Sequence, residues 1–247
     1  MQIVDFFVSL SMIKEDIHKL LFLDIETVGG YSDLDDLNDS DKQLYEVWGE
    51  VGLPYFQRHY SDHLDEYSSS DYYEKYSALL PEFGKIVCIS VGFILTNGET
   101  KLDSFYGDEK NVLIATSELL NRVDKLGFII CGHNVKNFDL PYIGKRMLIH
   151  GITVPPIIPN HNIKPWETKT LDTKEMWNFN SFKGLSSLQL VCACMGIKNP
   201  KGGTVKGSNM HNFYYNSNSE NSIEEIKNYC EEDVITTMEL VKKVKEL

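Results

Sequence analysis

Leu20-Leu21-Phe22-Leu23 is an unbroken apolar run followed by punctuation at Gly29-Gly30. A run this short reads as a strand buried on both faces of a central sheet. Asp24 and Glu26 stand at its end. From Ile86 to Leu95 the chain is apolar and β-branched, Asn97-Gly98 supplies a turn, and a second strand runs on through Tyr106. Two such runs about an Asn-Gly pair predict a hairpin, so the sheet begins with antiparallel strands. Val112 to Leu126 carries apolar residues at helical spacing, and Phe128 to Cys131 follows as a short buried strand, which is the rhythm of an α/β protein. Asp139-Leu-Pro-Tyr opens a helix through His150. The proline-rich residues 154 to 165 form a loop, Thr170 to Thr173 a further strand end, and Leu185 to Met195 a helix. A second loop runs from Asn199 to about Asn221. Ser222-Ile-Glu-Glu225 is a capping-box pattern that starts a last helix, with Ile226, Cys230, Val234, Thr237 and Val241 along one side.

Residues 30 to 80 break this rhythm. They are acidic and rich in Tyr, Ser and Asp, with weak helical periodicity only around Leu44 to Trp48 and Tyr72 to Leu80, and so read as an insertion of short helices and loops. A chain of 247 residues is long enough for one substantial core. The expectation is a single domain over 1–247, its core from about residue 20, with the acidic insertion at about 30–80. No apolar run approaches the roughly 20 residues of a membrane span, and no signal-peptide layout opens the chain. A soluble, cytoplasmic protein with no membrane association is expected. The five cysteines show no spacing suited to zinc and read as reduced, mostly buried thiols.

The net charge of -12 argues against a protein that coats duplex nucleic acid, because that mode needs a broad basic face. An enzyme gripping one strand end remains compatible with it. The charge is also uneven. Residues 31 to 74 hold twelve acids against Lys42 and Arg58, whereas residues 164 to 206 hold seven lysines against Glu167, Asp172 and Glu175. The second stretch either lines a path for a phosphate backbone or is a solvated face of scattered lysines.

Asp24 and Glu26 are two apart on a strand and so project from one face. For an isolated Asp-x-Glu the commoner explanation is a strand end that has reached water. At the edge of a core, however, paired carboxylates are tolerated when a cation neutralises them. Asp139, just before Pro141, is a natural helix cap, yet it also stands beyond a strand's carboxyl end, where open α/β sheets place their sites. Asn134 offers an amide, and Phe138 offers either a face for a base or simply a core aromatic. Tyr229 and Asp233 are four apart on the last helix and share one face. Each motif has a plain structural explanation alone; their joint occurrence in this order is harder to explain so.

The order Asp-x-Glu, Asn-x3-Phe-Asp, Tyr-x3-Asp resembles the tyrosine-containing branch of the DEDD exonuclease superfamily. Pro81-Glu-Phe-Gly-Lys-Ile-Val-Cys-Ile-Ser90, Lys164-Pro-Trp, Leu171-Asp-Thr, and Ser187-Leu-Gln-Leu-Val-Cys192 with Gly196-Ile narrow this, and Gly207-Ser208 resembles the family's Gly-Ser before its last helix. They are similar to the stand-alone predicted exonucleases related to the proofreading domain of family B DNA polymerases. The resemblance implies a ribonuclease-H-like α/β fold, a central mixed five-stranded sheet flanked by helices. It implies a 3'-5' exonuclease acting on single-stranded 3' ends, DNA ahead of RNA, and releasing nucleoside 5'-monophosphates. It also implies two ions, Mg²⁺ or Mn²⁺, held by Asp24, Glu26, Asp139 and Asp233, which suits an all-oxygen donor set. Tyr229 would orient the attacking water, and Thr27, Asn134 and Phe138 would contact substrate. An RNA exonuclease and a non-catalytic nucleic-acid-binding or interaction module are the alternatives.

Overall fold

The computed structural model describes residues 13–60, 67–164, 167–179, 181, 186–198, 205–217 and 222–246. The five-stranded mixed sheet expected from the sequence is present. Strand β1 (Leu20–Gly29) lies at its centre, with β2 (Gly84–Ile94) antiparallel on one side and β3 (Thr100–Tyr106) antiparallel beyond it. On the other side β4 (Ile129–Gly132) runs parallel to β1, and β5 (Thr170–Asp172) parallel to β4. The β2–β3 hairpin turns through Gly98, whose φ of 85° suits a residue without a Cβ.

Ten α-helices are formed by the described residues. Between β1 and β2 come α1 (Leu34–Ser40), α2 (Lys42–Val47), α3 (Leu53–His59) and α4 (Ser69–Tyr76). Helix α5 (Glu109–Lys125) joins β3 to β4, and α6 (Asp139–Ile149) follows β4. After β5 come α7 (Thr173–Asn178), α8 (Leu188–Cys194), α9 (Met210–Asn216) and the long α10 (Ser222–Lys245). No helix among the described residues is long and apolar enough to cross a membrane.

Strand alternation divides the core. Leu21, Leu23 and Ile25 pack with Val112, Leu120 and Val123 of α5 and with Leu140, Ile143 and Met147 of α6. Leu20 and Phe22 point the other way, onto Val191 of α8 and Val234, Met238 and Val241 of α10. Gly92 lets α10 settle directly on β2: a Cβ there would lie 2.1 Å from Met238 Cε. Asp24 and Glu26 therefore continue the face covered by α10, which places them beside its Tyr229-to-Asp233 turn.

The acidic segment builds its own small core. Trp48 packs edge-on against Tyr73 and Phe83, with ring centroids 5.0 and 5.1 Å apart, and Phe56, Tyr72 and Tyr76 complete the cluster. It is fastened to the end of β1. Thr27 Oγ1 donates to Ala78 O at 2.9 Å, and Gly30 N–H donates to Phe83 O at 2.8 Å. His211 of α9 accepts from Gly29 N–H at 3.0 Å and meets Ser32 O at 2.8 Å, which requires its Nε2 to carry the proton. Burial lowers that imidazole's pKa, in keeping with a neutral ring.

The structure departs from the sequence pattern where elements are short. Helices α1, α3, α7 and α9 have six or seven residues each, too few turns for a 3.6-residue period to show. The helical segment expected to reach Leu80 ends at Tyr76 and passes into a 3-10 turn, while its capping box is Ser68 with Asp71. Helix α10 is already formed at Ser222, so Ser222 is not its cap; the preceding residue lies outside the described ones. Pro165 and Trp166 also lie outside them.

Candidate active site

The four carboxylates converge because β4 is short. Its last pairing with β1 is Cys131 opposite Phe22, so the N–H of Ile25 has no strand partner on that side. Asp139, the first residue of α6, supplies one: its Oδ1 accepts from Ile25 N–H at 3.1 Å. Ile25 lies between Asp24 and Glu26, and this bond sets Asp139 against both. Asp139 is thus not the helix cap, a position Phe138 takes. From the covering helix, Cys230 Sγ lies 3.4 Å from Asp24 O and 3.5 Å from Asp24 Oδ2. Donor atoms of Asp24, Glu26 and Cys230 all fall within 4.8 Å of one another. Tyr229 and Asp233, one turn apart, line the same open cleft of about 530 Å³ as Asp24. Gly207 stands beside the tyrosine: a Cβ built on it would lie 3.9 Å from the Tyr229 hydroxyl.

The electrostatics are those of crowded, buried carboxylates. Burial pushes the Asp24 carboxyl well above its ordinary value, and the charges of Asp233, Glu26 and Asp139 raise it further against the Cys230 thiol. Asp139 is pushed up to about 7, by burial first, while the N–H bonds it accepts pull down and the charges of Asp172 and Asp233 push up. Carboxylates driven this way are a fitting cradle for hard divalent cations, whose charge would reverse the shift. A pH dependence follows. A carboxyl whose folded pKa is raised stabilises the fold below its unfolded pKa and loses that contribution as pH rises to the folded value. The metal-free protein is therefore expected to lose stability between about pH 4 and about pH 7, by roughly 1.4 kcal/mol per pH unit per proton. Denaturant titrations in EDTA across this range read it, and Asp139→Asn should flatten the slope; an unchanged slope would contradict the assignment.

The cleft's second side is built on Asp172, which is 3% exposed. Its carboxylate accepts from the N–H groups of Asn134 and Lys136, both at 3.0 Å, and of Lys174 at 2.9 Å. These bonds hold Asn134 at a φ of 69°, a left-handed conformation that asparagine tolerates better than most residues. Asn134 Oδ1 in turn accepts from Lys174 Nζ at 3.3 Å. His133 meets Ser186 O through Nε2 at 2.6 Å and Thr173 Oγ1 through Nδ1 at 2.9 Å. Burial lowers its pKa, so the ring is neutral with the proton on Nε2.

Of the expected substrate contacts, Asn134 lines the cleft and the other two do not. Phe138 is half-buried against the α5–α6 core, its ring centroid 5.5 Å from that of Tyr142. Thr27 gives its hydroxyl to Ala78. Lys174, His133 and Ser186 line the cleft without having been singled out. Lys174 does belong to the lysine-rich stretch, but no spacing marks it off from the other lysines. None of the described residues of the acidic segment lines the cleft.

A family model described as a predicted 3'-5' exonuclease related to the exonuclease domain of PolB matches residues 76–246. The chain belongs to this family. The match includes Asn134, Phe138, Asp139, Tyr229 and Asp233; Asp24 and Glu26 precede it and join the set by the geometry above. No curated protein matches the chain. Among solved structures, the family B DNA polymerase of the hyperthermophilic archaeon Pyrobaculum calidifontis is similar, with a TM-score of 0.55 and 16% identity. The likeness covers 91% of this chain and 24% of the polymerase. It shows that this member of the exonuclease family shares the ribonuclease-H-like fold of a portion of that polymerase.

Proposed function

We propose that the chain is a metal-dependent 3'-5' exonuclease which removes nucleoside 5'-monophosphates from single strands, acting as one domain over about residues 20–247. The observation that carries this reading is the Asp139–Ile25 hydrogen bond, which draws Asp139 between Asp24 and Glu26 beside a cleft shared with Tyr229 and Asp233. DNA stands ahead of RNA on the kinship with a polymerase exonuclease domain.

Asp24, Glu26, Asp139 and Asp233 are the residues that would hold Mg²⁺ or Mn²⁺. When bound, such ions lower the pKa of water and neutralise charge on the scissile phosphate and the leaving 3' oxygen. The chain's own work is positioning. Tyr229, which lines the cleft, orients the attacking water, with Glu26 on the adjoining face of β1. Lys174, fixed by Asn134, meets a phosphate oxygen, while the neutral His133 fastens the Ser186 side of the cleft.

This division of roles is testable with Tyr229→Phe. Its affinity for Mn²⁺, measured by calorimetric titration, should match the wild type, whereas the single-turnover rate on a 5'-labelled single strand should fall roughly 10²-fold. Equal loss of metal affinity would assign Tyr229 to the metal cradle instead.

A further inference from the structure

Helix α7 ends in Phe179, which caps it with φ 47° and ψ 47°. Helices often close with a residue in this left-handed region, but glycine usually takes the position because a bulky side chain is strained there. The Phe179 ring is also 72% exposed, more than any other large hydrophobic side chain described. It makes no ring contact with the described residues. Neither burial nor packing among the described residues offsets the strain.

Its place in the chain indicates a use. Lys174, five residues earlier, and Ser186, seven later, both line the cleft that holds Asp24, Tyr229 and Asp233. Lys174 is the one cation lining that cleft among the described residues, His133 being neutral. The Ser186 hydroxyl is buried, at 5% exposure, and has no hydrogen-bond partner among them. The cleft thus offers a cation suited to phosphate and, five residues further along the chain, an exposed aromatic.

We propose that Phe179 is a base-stacking residue of the strand path: an unpaired nucleobase lies on its ring while Lys174 meets the backbone phosphate. The proposal rests on the cleft being a nucleic-acid site. It names an unpaired strand as the substrate class, because a base in a duplex has no free face to offer.

The test uses fluorescence anisotropy of a fluorescein-labelled oligodeoxynucleotide in Ca²⁺, beside the same strand made abasic. The wild type should prefer the strand with bases. Phe179→Ala should weaken binding to it roughly tenfold, as the loss of one base-aromatic stack predicts, and should lose most of the preference over the abasic strand. Phe179→Trp should keep both. Phe179→Gly should bind as poorly as the alanine variant yet melt at a higher temperature, because glycine releases the backbone strain. Binding by Phe179→Ala within twofold of wild type, or a lower melting temperature for Phe179→Gly, would overturn the proposal. Nucleotide release in Mn²⁺ is measured separately. If the wild type releases none but the binding differences hold, the exonuclease reading fails and the stacking role stands; if it binds neither strand, both fail.

Discussion

Asp24→Asn is expected to reduce nucleotide release on the order of 10³-fold or more while raising the melting temperature of the metal-free protein. The activity loss follows from position. Asp24 feels the charges of Asp233, Glu26 and Asp139 together. On the proposed roles, removing its charge would take away a ligand from ions able to contribute several kcal/mol of transition-state stabilisation. The gain in stability follows from the same crowding. Burial and three like charges disfavour the ionised carboxylate, so a neutral amide of the same shape relieves the fold when no cation is present. Release assayed with and without Mn²⁺, and melting followed in EDTA, separate the two effects. Retained activity would remove Asp24 from the chemistry, and a lowered melting temperature in EDTA would mean that its carboxylate is structurally satisfied.

Arg146→Ala is expected to have the largest effect on stability, about 3–5 kcal/mol, the usual loss on breaking a buried ion pair from one side. Arg146 grips Glu109 with Nε to Oε1 at 2.8 Å and Nη2 to Oε2 at 2.5 Å, and Nη1 donates to Pro81 O at 2.9 Å. Glu109, 9% exposed, also accepts from Ile86 N–H at 2.7 Å and meets His150 Nε2 at 2.7 Å. Burial works to raise the Glu109 carboxyl, but Arg146 and the other donors outweigh it and hold its pKa below the ordinary value. The clamp joins α5, α6 and the first residues of β2. Without Arg146 the buried carboxylate loses its charge partner, and Glu109→Gln in the same chain should recover part of the stability. Chemical denaturation of the single and double variants measures this; a single-variant loss under 1 kcal/mol would show the pair to be incidental.

Both effects come from residues that sequence reasoning treated very differently. Asp24, like Tyr229 with Asp233, stood out only in combination: each motif alone has a plain structural explanation, and it was their joint order along the chain that set them apart. The sheet was legible more directly: β1, β2 and β4 are nearly continuous apolar runs, and the Asn97-Gly98 turn fixes the β2–β3 hairpin. Arg146 and Glu109 carry no such mark. Their partnership spans 37 positions and exists only once α5 and α6 lie side by side. Asp172 is similar, since a carboxylate that gathers backbone N–H groups across two loops looks, in sequence, like any helix cap. The aromatic cluster about Trp48 was hidden by the acidic residues interleaved with it, in helices too short to show a period. Phe179 was invisible for another reason, because its significance lies in a backbone angle and an exposure.

Digestion of matched 5'-labelled single-stranded DNA and RNA by the purified chain in Mg²⁺ or Mn²⁺, with EDTA and Asp24→Asn as controls, decides whether the cleft cuts nucleic acid. A ladder shortening from the 3' end, faster on DNA and lost in both controls, is the predicted result. Intact strands under every condition would contradict it and leave a module that binds nucleic acid without cutting it.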